Sequence, residues 1–188
     1  LDGFGAVTEN NILRGIALQS QTSGRSFLHY ALHQGNQYVE YLKKQSEIEQ
    51  ISIAGSLRRR KETIGDIDIL VSSTEPEKIM DAFVDYNAVK DVLMKGKTKT
   101  SVLLTDGIQV DLRVVEQKSF GSALQYFTGS KEHNVLLRGL ALKKNLKLNE
   151  YGVFSKENNE YLAGATEKEV YESIGLSYIE PELRENRG

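Results

Sequence analysis

The pattern of apolar and polar residues divides the chain into a helical beginning, a middle with strands, and a second helical part. Between 27 and 44, apolar residues recur at near-helical spacing and predict one long helix: Leu28, Leu32, Val39 and Leu42. A shorter helix is predicted over 8–15. We therefore expect a helical region over 1–50.

Short apolar runs of strand length fill the middle of the chain. They predict strands over 51–54, 67–71, 100–104 and 108–115. The pair Asp106-Gly107 joins the last two runs and is typical of a hairpin, because both residues tolerate positive φ. We interpret this region as a small mixed α/β domain.

Capping patterns mark where the remaining helices begin. Thr74 and Glu77 have the spacing of a capping box, as do Thr166 and Glu169 further along. Ser130 is a candidate N-cap for a helix that runs to about residue 145. The other predicted elements are a helix over 120–127, a strand over 151–154 and a polar tail over 181–188.

Composition excludes several classes of protein. The chain has 188 residues, of which 39% are hydrophobic and 27% charged, an ordinary globular balance. It has no Cys, which excludes a disulfide scaffold and thiol catalysis and fits a reducing, cytoplasmic compartment. No apolar run reaches the roughly 18 residues needed to span a membrane.

The net charge of −2 limits where nucleic acid can bind. Since the chain as a whole is slightly acidic, a nucleic-acid surface must come from local basic patches. Two such patches are present, one over 58–61 and one formed by Lys95, Lys97 and Lys99.

Two acidic residues stand on one predicted strand. Side chains alternate across a strand, so Asp66 and Asp68 project from one face while Ile67 and Ile69 point to the other. Two carboxylates this close repel each other unless a cation lies between them, and Mg²⁺ prefers such ligands. A pair of solvated carboxylates at a sheet edge is the alternative for so short a motif.

A third carboxylate and a glycine turn favour the metal interpretation. Asp111 and Arg113 share the polar face of the strand over 108–115. If this strand pairs beside the strand with Asp66 and Asp68, three carboxylates converge, as in two-metal sites. Gly55-Ser56 follows a predicted strand and precedes arginines, a setting in which backbone can approach a phosphate, although an ordinary turn fits the same residues.

The chain resembles family X DNA polymerases, particularly their bacterial and archaeal branch, within the nucleotidyltransferase superfamily that includes polymerase β. The resemblance lies in segments 3–13, 54–68, 96–113 and 126–152, which span nearly the whole chain. The run Tyr126-Phe127-Thr128-Gly129-Ser130 is the most discriminating, because small nucleotidyltransferases have no reason to carry it.

The resemblance implies a role for each matched residue. It implies two Mg²⁺ ions, with Mn²⁺ as a substitute, on the catalytic carboxylates Asp66, Asp68 and Asp111. Nucleotide-binding positions are Gly55, Ser56, Arg59, Gly65, Tyr126, Phe127, Gly129 and Asn134. DNA-binding positions are Gly3, Gly5, Lys99, Arg113 and Arg138.

The resemblance also implies a fold and a division into parts. The expected fold is α+β, with a polymerase β-like palm of mixed sheet and helices followed by a small α/β thumb. The parts are a fingers remnant with a helix-hairpin-helix-like turn over 1–50, the palm over 51–118, the thumb over 119–180 and a linker over 181–188. Relatives of this branch usually add an N-terminal helical domain and a C-terminal metal-dependent phosphoesterase domain, so we expect a piece of a longer protein.

Three functions remain open from the sequence. The first is templated transfer of a deoxynucleotide to a primer 3′-hydroxyl on gapped DNA, with short-gap repair as its task. The second is a stand-alone transferase that moves a nucleotide onto a small molecule or a protein. The third is a DNA-binding piece without turnover, which predicts salt-sensitive binding alone. No membrane partner is expected.

Overall fold

The structure is a computed structural model that describes residues 24–45 and 47–185. The helix predicted over 8–15 and the expected DNA-binding residues Gly3 and Gly5 lie outside this part of the chain.

A five-stranded mixed sheet forms the first half of the described chain. Its strands are β2 (Gln50–Ile53), β4 (Asp66–Ser72), β5 (Val89–Lys95), β6 (Lys99–Leu104) and β7 (Gln109–Val115), in the order β2-β4-β7-β6-β5. Strands β4 and β7 run parallel, and the other neighbours are antiparallel. A separate two-stranded ribbon pairs β1 (Ser26–Phe27) with β3 (Thr63–Ile64).

Two helices cover one face of the sheet. The other face carries Asp66 and Asp68 and, further along β4, the buried Leu70, which packs against Phe120, Ala123 and Leu124. Ile67, Ile69 and Val71 of β4 are fully buried in a core that includes residues of α1 (Leu28–Leu42) and α3 (Pro76–Val84). Because side chains alternate along the strand, the apolar set fixes the opposite face for Asp66 and Asp68. The helix predicted over 27–44 is therefore confirmed, and it belongs to the core of the sheet.

Two predictions in this half fail for local reasons. The capping box of Thr74 and Glu77 is wrong, because Pro76 occupies the first helical position and Glu75 is the N-cap, without a side-chain hydrogen bond. Strand β5 has no counterpart in the predicted elements. It lies at the edge of the sheet with exposed, mixed polar and apolar residues, so it shows no alternation.

The second half of the described chain builds its own small core. It contains α4 (Phe120–Thr128), α5 (Lys131–Lys143), β8 (Leu146–Asn149), β9 (Gly152–Ser155), β10 (Tyr161–Ala163) and α6 (Glu167–Ser173), and the strands pair in the order β10-β9-β8. Ser130 caps α5 by accepting from the His133 N–H, and Thr166 and Glu169 form the predicted capping box. Both helix starts are confirmed.

The polar tail packs where the sequence suggests a linker. Pro181 is buried, and the fully buried Arg184 places its Nη1 2.6 Å from Oε1 of Glu167. The tail is thus part of the folded structure as far as Glu185. The buried carboxylate of Glu167 requires a cation, and Arg184 of the tail supplies one. Among residues 24–45 and 47–185, no helix is long and apolar enough to cross a membrane.

Candidate functional site

The parallel pairing of β4 and β7 brings the predicted carboxylates together. Asp68 and Asp111 are direct register partners on neighbouring strands, and Asp66 lies two residues earlier on the same face of β4. The pairing on which the sequence argument depends is therefore observed.

The carboxylates of this group affect one another's protonation. Burial, followed by the negative charges of Asp66 and Asp111, raises the pKa of Asp68 to about 7. Burial alone would also raise the pKa of Asp111. Hydrogen bonds from Lys99, Gln109 and Ser101 outweigh it and lower that pKa below its ordinary value.

The carboxylate donors of this group fit a divalent cation in kind. Carboxylate oxygens are the ligands that Mg²⁺ prefers, and the crowding that raises the pKa of Asp68 is negative charge that a cation would neutralise. Within the described residues, no three His, Cys, Asp or Glu side chains are yet gathered closely enough to hold a metal ion. The Asp111 carboxylate instead contacts Nζ of Lys99 at 2.7 Å and Nε2 of Gln109 at 2.8 Å.

Gly55 places the backbone directly against this group. It has φ +62° and opens the short helix α2 (Gly55–Arg58) after β2. A Cβ added to Gly55 would overlap the carboxylate of Asp68. The conformation and the close approach both require glycine, and Ser56 follows in the first turn of α2.

Arg59 is held by the second half of the chain. Its Nε donates to Oε1 of Glu185 at 2.7 Å, and its Nη1 donates to the carbonyl of Thr128. A Cβ on Gly129, which has φ +69°, would lie 3.3 Å from Nη1 of Arg59. Two of the expected nucleotide-binding residues, Arg59 and Gly129, are therefore neighbours.

The segment Tyr126-Phe127 is tied to both halves. Asn134 of α5 donates through Nδ2 to the Tyr126 carbonyl at 2.7 Å. The guanidinium of Arg113 lies 4.1 Å from the centre of the Phe127 ring, a cation–π contact. Since Arg113 is two residues from Asp111 on β7, this contact joins the aromatic segment to the carboxylate face.

Two further predicted residues, Gly65 and Arg138, lie on different elements of the fold. Gly65 immediately precedes β4, and a Cβ there would lie 3.2 Å from Nη1 of Arg25. Arg138 is half-buried on α5. A cleft of about 950 Å³ opens beside Arg113 and Phe127, and exposed Tyr151 also lines it.

Several residues at the site are missing from the sequence prediction. Gln109 shares the polar face of β7 with Asp111, so the alternation that places Arg113 there also places Gln109. Glu167 also forms two buried ion pairs. Its pair with Arg58 joins residues more than a hundred positions apart, and its pair with Arg184 joins it to the polar tail. Local patterns carry no signal for those pairs.

Family models and known proteins match this arrangement. The model of the DNA polymerase beta palm matches residues 32–134, and that of the DNA polymerase beta thumb matches residues 123–185. A crystal structure of Leishmania infantum polymerase beta, a ternary P/T complex, superposes with a TM-score of 0.73 at 24% identity. That match covers 86% of this chain and 77% of the other and shows the shared fold.

Two relatives by sequence come from a bacterium and a virus. DNA polymerase/3'-5' exonuclease PolX of Bacillus subtilis (strain 168) is 35% identical over 188 residues, 99% of this chain and 33% of that protein. Repair DNA polymerase X of African swine fever virus (isolate Pig/Kenya/KEN-50/1950) is 30% identical over 164 residues, 82% of this chain and 89% of that protein. The chain thus spans about a third of the Bacillus relative's length and most of the viral one. Together with the palm and thumb matches, these relatives show that the chain belongs to family X, the polymerase β-type DNA polymerases.

Proposed function

We propose that this chain is the catalytic part of a DNA-directed DNA polymerase that transfers deoxynucleotides to a primer 3′-hydroxyl. The observation that supports this most is the register of Asp68 against Asp111, with Asp66 on the same face. For the parent protein we propose short-gap filling in DNA repair, in the cytoplasm, with gapped DNA and deoxynucleoside triphosphates as its substrates.

The carboxylates carry the chemical step in this proposal. Asp66, Asp68 and Asp111 would hold two Mg²⁺ ions, or Mn²⁺ in their place. Divalent cations bound there lower the pKa of a hydroxyl group and stabilise negative charge on a reacting phosphate. Asp111 is the carboxylate that we assign to the primer hydroxyl, whose deprotonation it favours. Hydrogen bonds from Lys99, Gln109 and Ser101 outweigh its burial and lower its pKa, so Asp111 is ionised, as a cation ligand must be.

The glycine turn and the arginine behind it are assigned to the triphosphate. Gly55 brings the backbone against the Asp68 carboxylate, and Gly65 immediately precedes the same strand. We assign the Ser56 hydroxyl and the Arg59 guanidinium as hydrogen-bond donors to the phosphate groups. Arg59 is engaged with Glu185 in the structure, so a triphosphate must share or replace that carboxylate.

Residues of both halves are assigned to the sugar, the incoming base and the DNA. We place Tyr126, Phe127 and Gly129 beside the sugar and Asn134 at the incoming base. The DNA contacts in this proposal are Lys99, Arg113 and Arg138, together with Gly3 and Gly5 outside the described residues.

The proposed domain boundaries are those expected from the family resemblance. We propose a palm over 51–118 and a thumb over 119–180, with 1–50 contributing a fingers remnant and 181–188 leading toward a further domain. In the parent protein, an N-terminal helical domain and a C-terminal metal-dependent phosphoesterase domain would flank this piece.

The proposed activity is tested with gapped DNA, Mg²⁺ and labelled deoxynucleotides. Templated addition to the primer, lost in Asp111→Asn, is the expected result. Incorporation that needs no primer–template would instead identify a stand-alone transferase. Salt-sensitive DNA binding without incorporation would identify a DNA-binding piece and contradict the proposal.

A further inference from the structure

Lys99 neutralises the carboxylate that the proposed reaction needs most. Its Nζ lies 2.7 Å from Oδ2 of Asp111, whose side chain is only 9% exposed, while Gln109 occupies Oδ1 at 2.8 Å. Both oxygens of Asp111 therefore already contact donors of the protein. Asp66 and Asp68 add negative charge beside this pair.

The other nearby cation is held differently. Arg113, the register partner of Lys99 on β7, places its guanidinium over the Phe127 ring at 4.1 Å. Arg113 and Lys99 both act to lower the pKa of Asp68, and of the two Lys99 makes the direct ion pair with Asp111. Of these two cations, Lys99 is the one whose ammonium group competes with a divalent cation for Oδ2.

We propose that Lys99 is a positioning residue that holds Asp111 in the metal-free protein and exchanges this carboxylate for a DNA phosphate when a divalent cation binds. This inference rests on the proposed function. An ammonium group and a divalent cation at one carboxylate oxygen repel each other, so binding of the cation favours departure of Lys99.

The surroundings of Lys99 allow its ammonium group to turn from Asp111 toward solvent. Its side chain is 32% exposed, and it begins β6 directly after the exposed turn that carries Lys97. Lys95, at the end of β5, pairs with Asp81 at 2.5 Å. This turn is positively charged, which suits the phosphate backbone of DNA. A phosphate that receives Lys99 frees Asp111, and a cation on Asp111 frees Lys99 for the phosphate. The two ligands therefore bind cooperatively, and the coupling is reciprocal.

The first test is a titration of the DNA-free protein with Mn²⁺. The electron paramagnetic resonance signal of free Mn²⁺ measures how much of the ion is bound. Lys99→Gln removes the competing charge and is expected to tighten Mn²⁺ binding by about tenfold, within the range typical of coupled sites. Lys99→Arg keeps the charge and is expected to bind Mn²⁺ within about twofold of the wild type. Lys97→Gln is the matched control, since Lys97 is an exposed cation of the same turn and is expected to leave Mn²⁺ affinity unchanged.

The second test measures DNA affinity with and without Mn²⁺ at constant ionic strength. The wild type is expected to bind gapped DNA more tightly when Mn²⁺ is present, and Lys99→Gln is expected to lose most of this gain. Lys97→Gln is expected to weaken DNA binding equally in both conditions, because it removes an exposed positive charge that does not contact Asp111.

The outcomes separate this inference from the proposed function. If Asp111→Asn binds Mn²⁺ as the wild type does, the proposed metal centre is wrong. If Asp111→Asn loses Mn²⁺ while Lys99→Gln binds it no more tightly than the wild type, the metal centre stands and the role of Lys99 is overturned. Thermal unfolding of each variant shows that the fold is kept.

Discussion

At the scale of single residues, the site depends on where charge is compensated. Asp111 has Lys99 and Gln109 as partners, and its pKa is lowered, whereas Asp68 is crowded by other carboxylates and its pKa is raised. The same type of side chain thus has two different properties on neighbouring strands. The ionised Asp111 is in the protonation state that a cation ligand requires, in keeping with the place that we assign to it at the primer hydroxyl.

Replacing Asp111 tests this assignment. Asp111→Ala is expected to abolish primer extension, a loss of about 10³-fold or more, because the carboxylate nearest the primer hydroxyl is gone. Nucleotide binding is expected to survive, since Ser56 and Arg59 remain. Single-turnover extension and nucleotide titration measure the two properties, and loss of both together would contradict the separate roles.

The requirement for glycine at position 55 is testable with a matched control. Gly55 and Gly107 both have positive φ, at +62° and +87°, so Ala at either position is strained by about 1–2 kcal/mol. A Cβ at Gly107 meets open space, while one at Gly55 overlaps the Asp68 carboxylate. Gly55→Ala is therefore expected to lose Mn²⁺ binding and activity, and Gly107→Ala is expected to lower only the free energy of unfolding. Equal activity losses would refute the close approach.

The alternation of side chains along each strand predicts that Asp66 and Asp68 share one face of β4 and that Asp111 lies on the polar face of β7. The structure confirms both. It does not predict the partners of Asp111 across strands. The register of Lys99 against β7 depends on the β6–β7 hairpin pairing, which fixes residues that local spacing leaves undetermined.

At the scale of elements, cap chemistry predicts helix starts only where the backbone permits it. Thr166 and Glu169 form both reciprocal hydrogen bonds of a capping box. Thr74 and Glu77 have the same spacing, yet the helix begins at Pro76, because proline suits the first helical position, where a missing N–H costs no intrahelical hydrogen bond. The parallel pairing of β4 with β7 also belongs to this scale. The sequence argument assumes this pairing but does not predict it, and the structure shows it.

Helix α5 is joined to α6 by a buried histidine, and this contact predicts a pH dependence. Nε2 of His133 lies 2.8 Å from the Tyr171 hydroxyl. Burial, followed by the positive charge of Arg184, lowers the pKa of His133 to about 4 from its ordinary value of 6.5. Between pH 6.5 and 4 the unfolded chain binds a proton that the folded chain does not, so stability falls as the pH falls.

The expected loss from His133 is on the order of 2–3 kcal/mol across that window. Urea unfolding at a series of pH values measures it. His133→Gln, which cannot be protonated, is expected to flatten the profile in this range. An unchanged slope in His133→Gln would assign the pH dependence to other groups.

At the scale of the whole molecule, buried ion pairs join the two halves of the chain. Arg58 reaches Glu167 at 2.6 Å, and Glu167 also pairs with the fully buried Arg184. Hydrogen bonds from these two arginines outweigh burial and lower the pKa of Glu167. The basic patch over 58–61, which the sequence assigns to possible nucleic-acid contact, is thus partly used to hold the structure together.

Removing the shared acid tests the strength of this link. Glu167→Gln leaves Arg58 and Arg184 without their carboxylate and is expected to lower the free energy of unfolding by about 3–5 kcal/mol. Glu182→Gln is the control: its pair with Arg60 spans 3.9 Å, and both side chains are about half exposed, so a loss within about 0.5 kcal/mol is expected. Chemical denaturation measures both, and similar small losses would contradict a central role for Glu167.

The fold class and the carboxylate face could be predicted from the sequence because both follow from alternation and from the family resemblance. The packing of the tail could not. Arg184 and Glu185 look like part of a polar linker by composition, and only their long-range partners Glu167 and Arg59 reveal that they are structural.

The central claim is that Asp66, Asp68 and Asp111 together bind the cations for nucleotidyl transfer. Anomalous diffraction from crystals of the protein grown with Mn²⁺ and a deoxynucleoside triphosphate tests it most directly. The account predicts manganese peaks in contact with all three carboxylates, beside the triphosphate. Manganese bound elsewhere, or peaks that Asp111 does not touch, would contradict it.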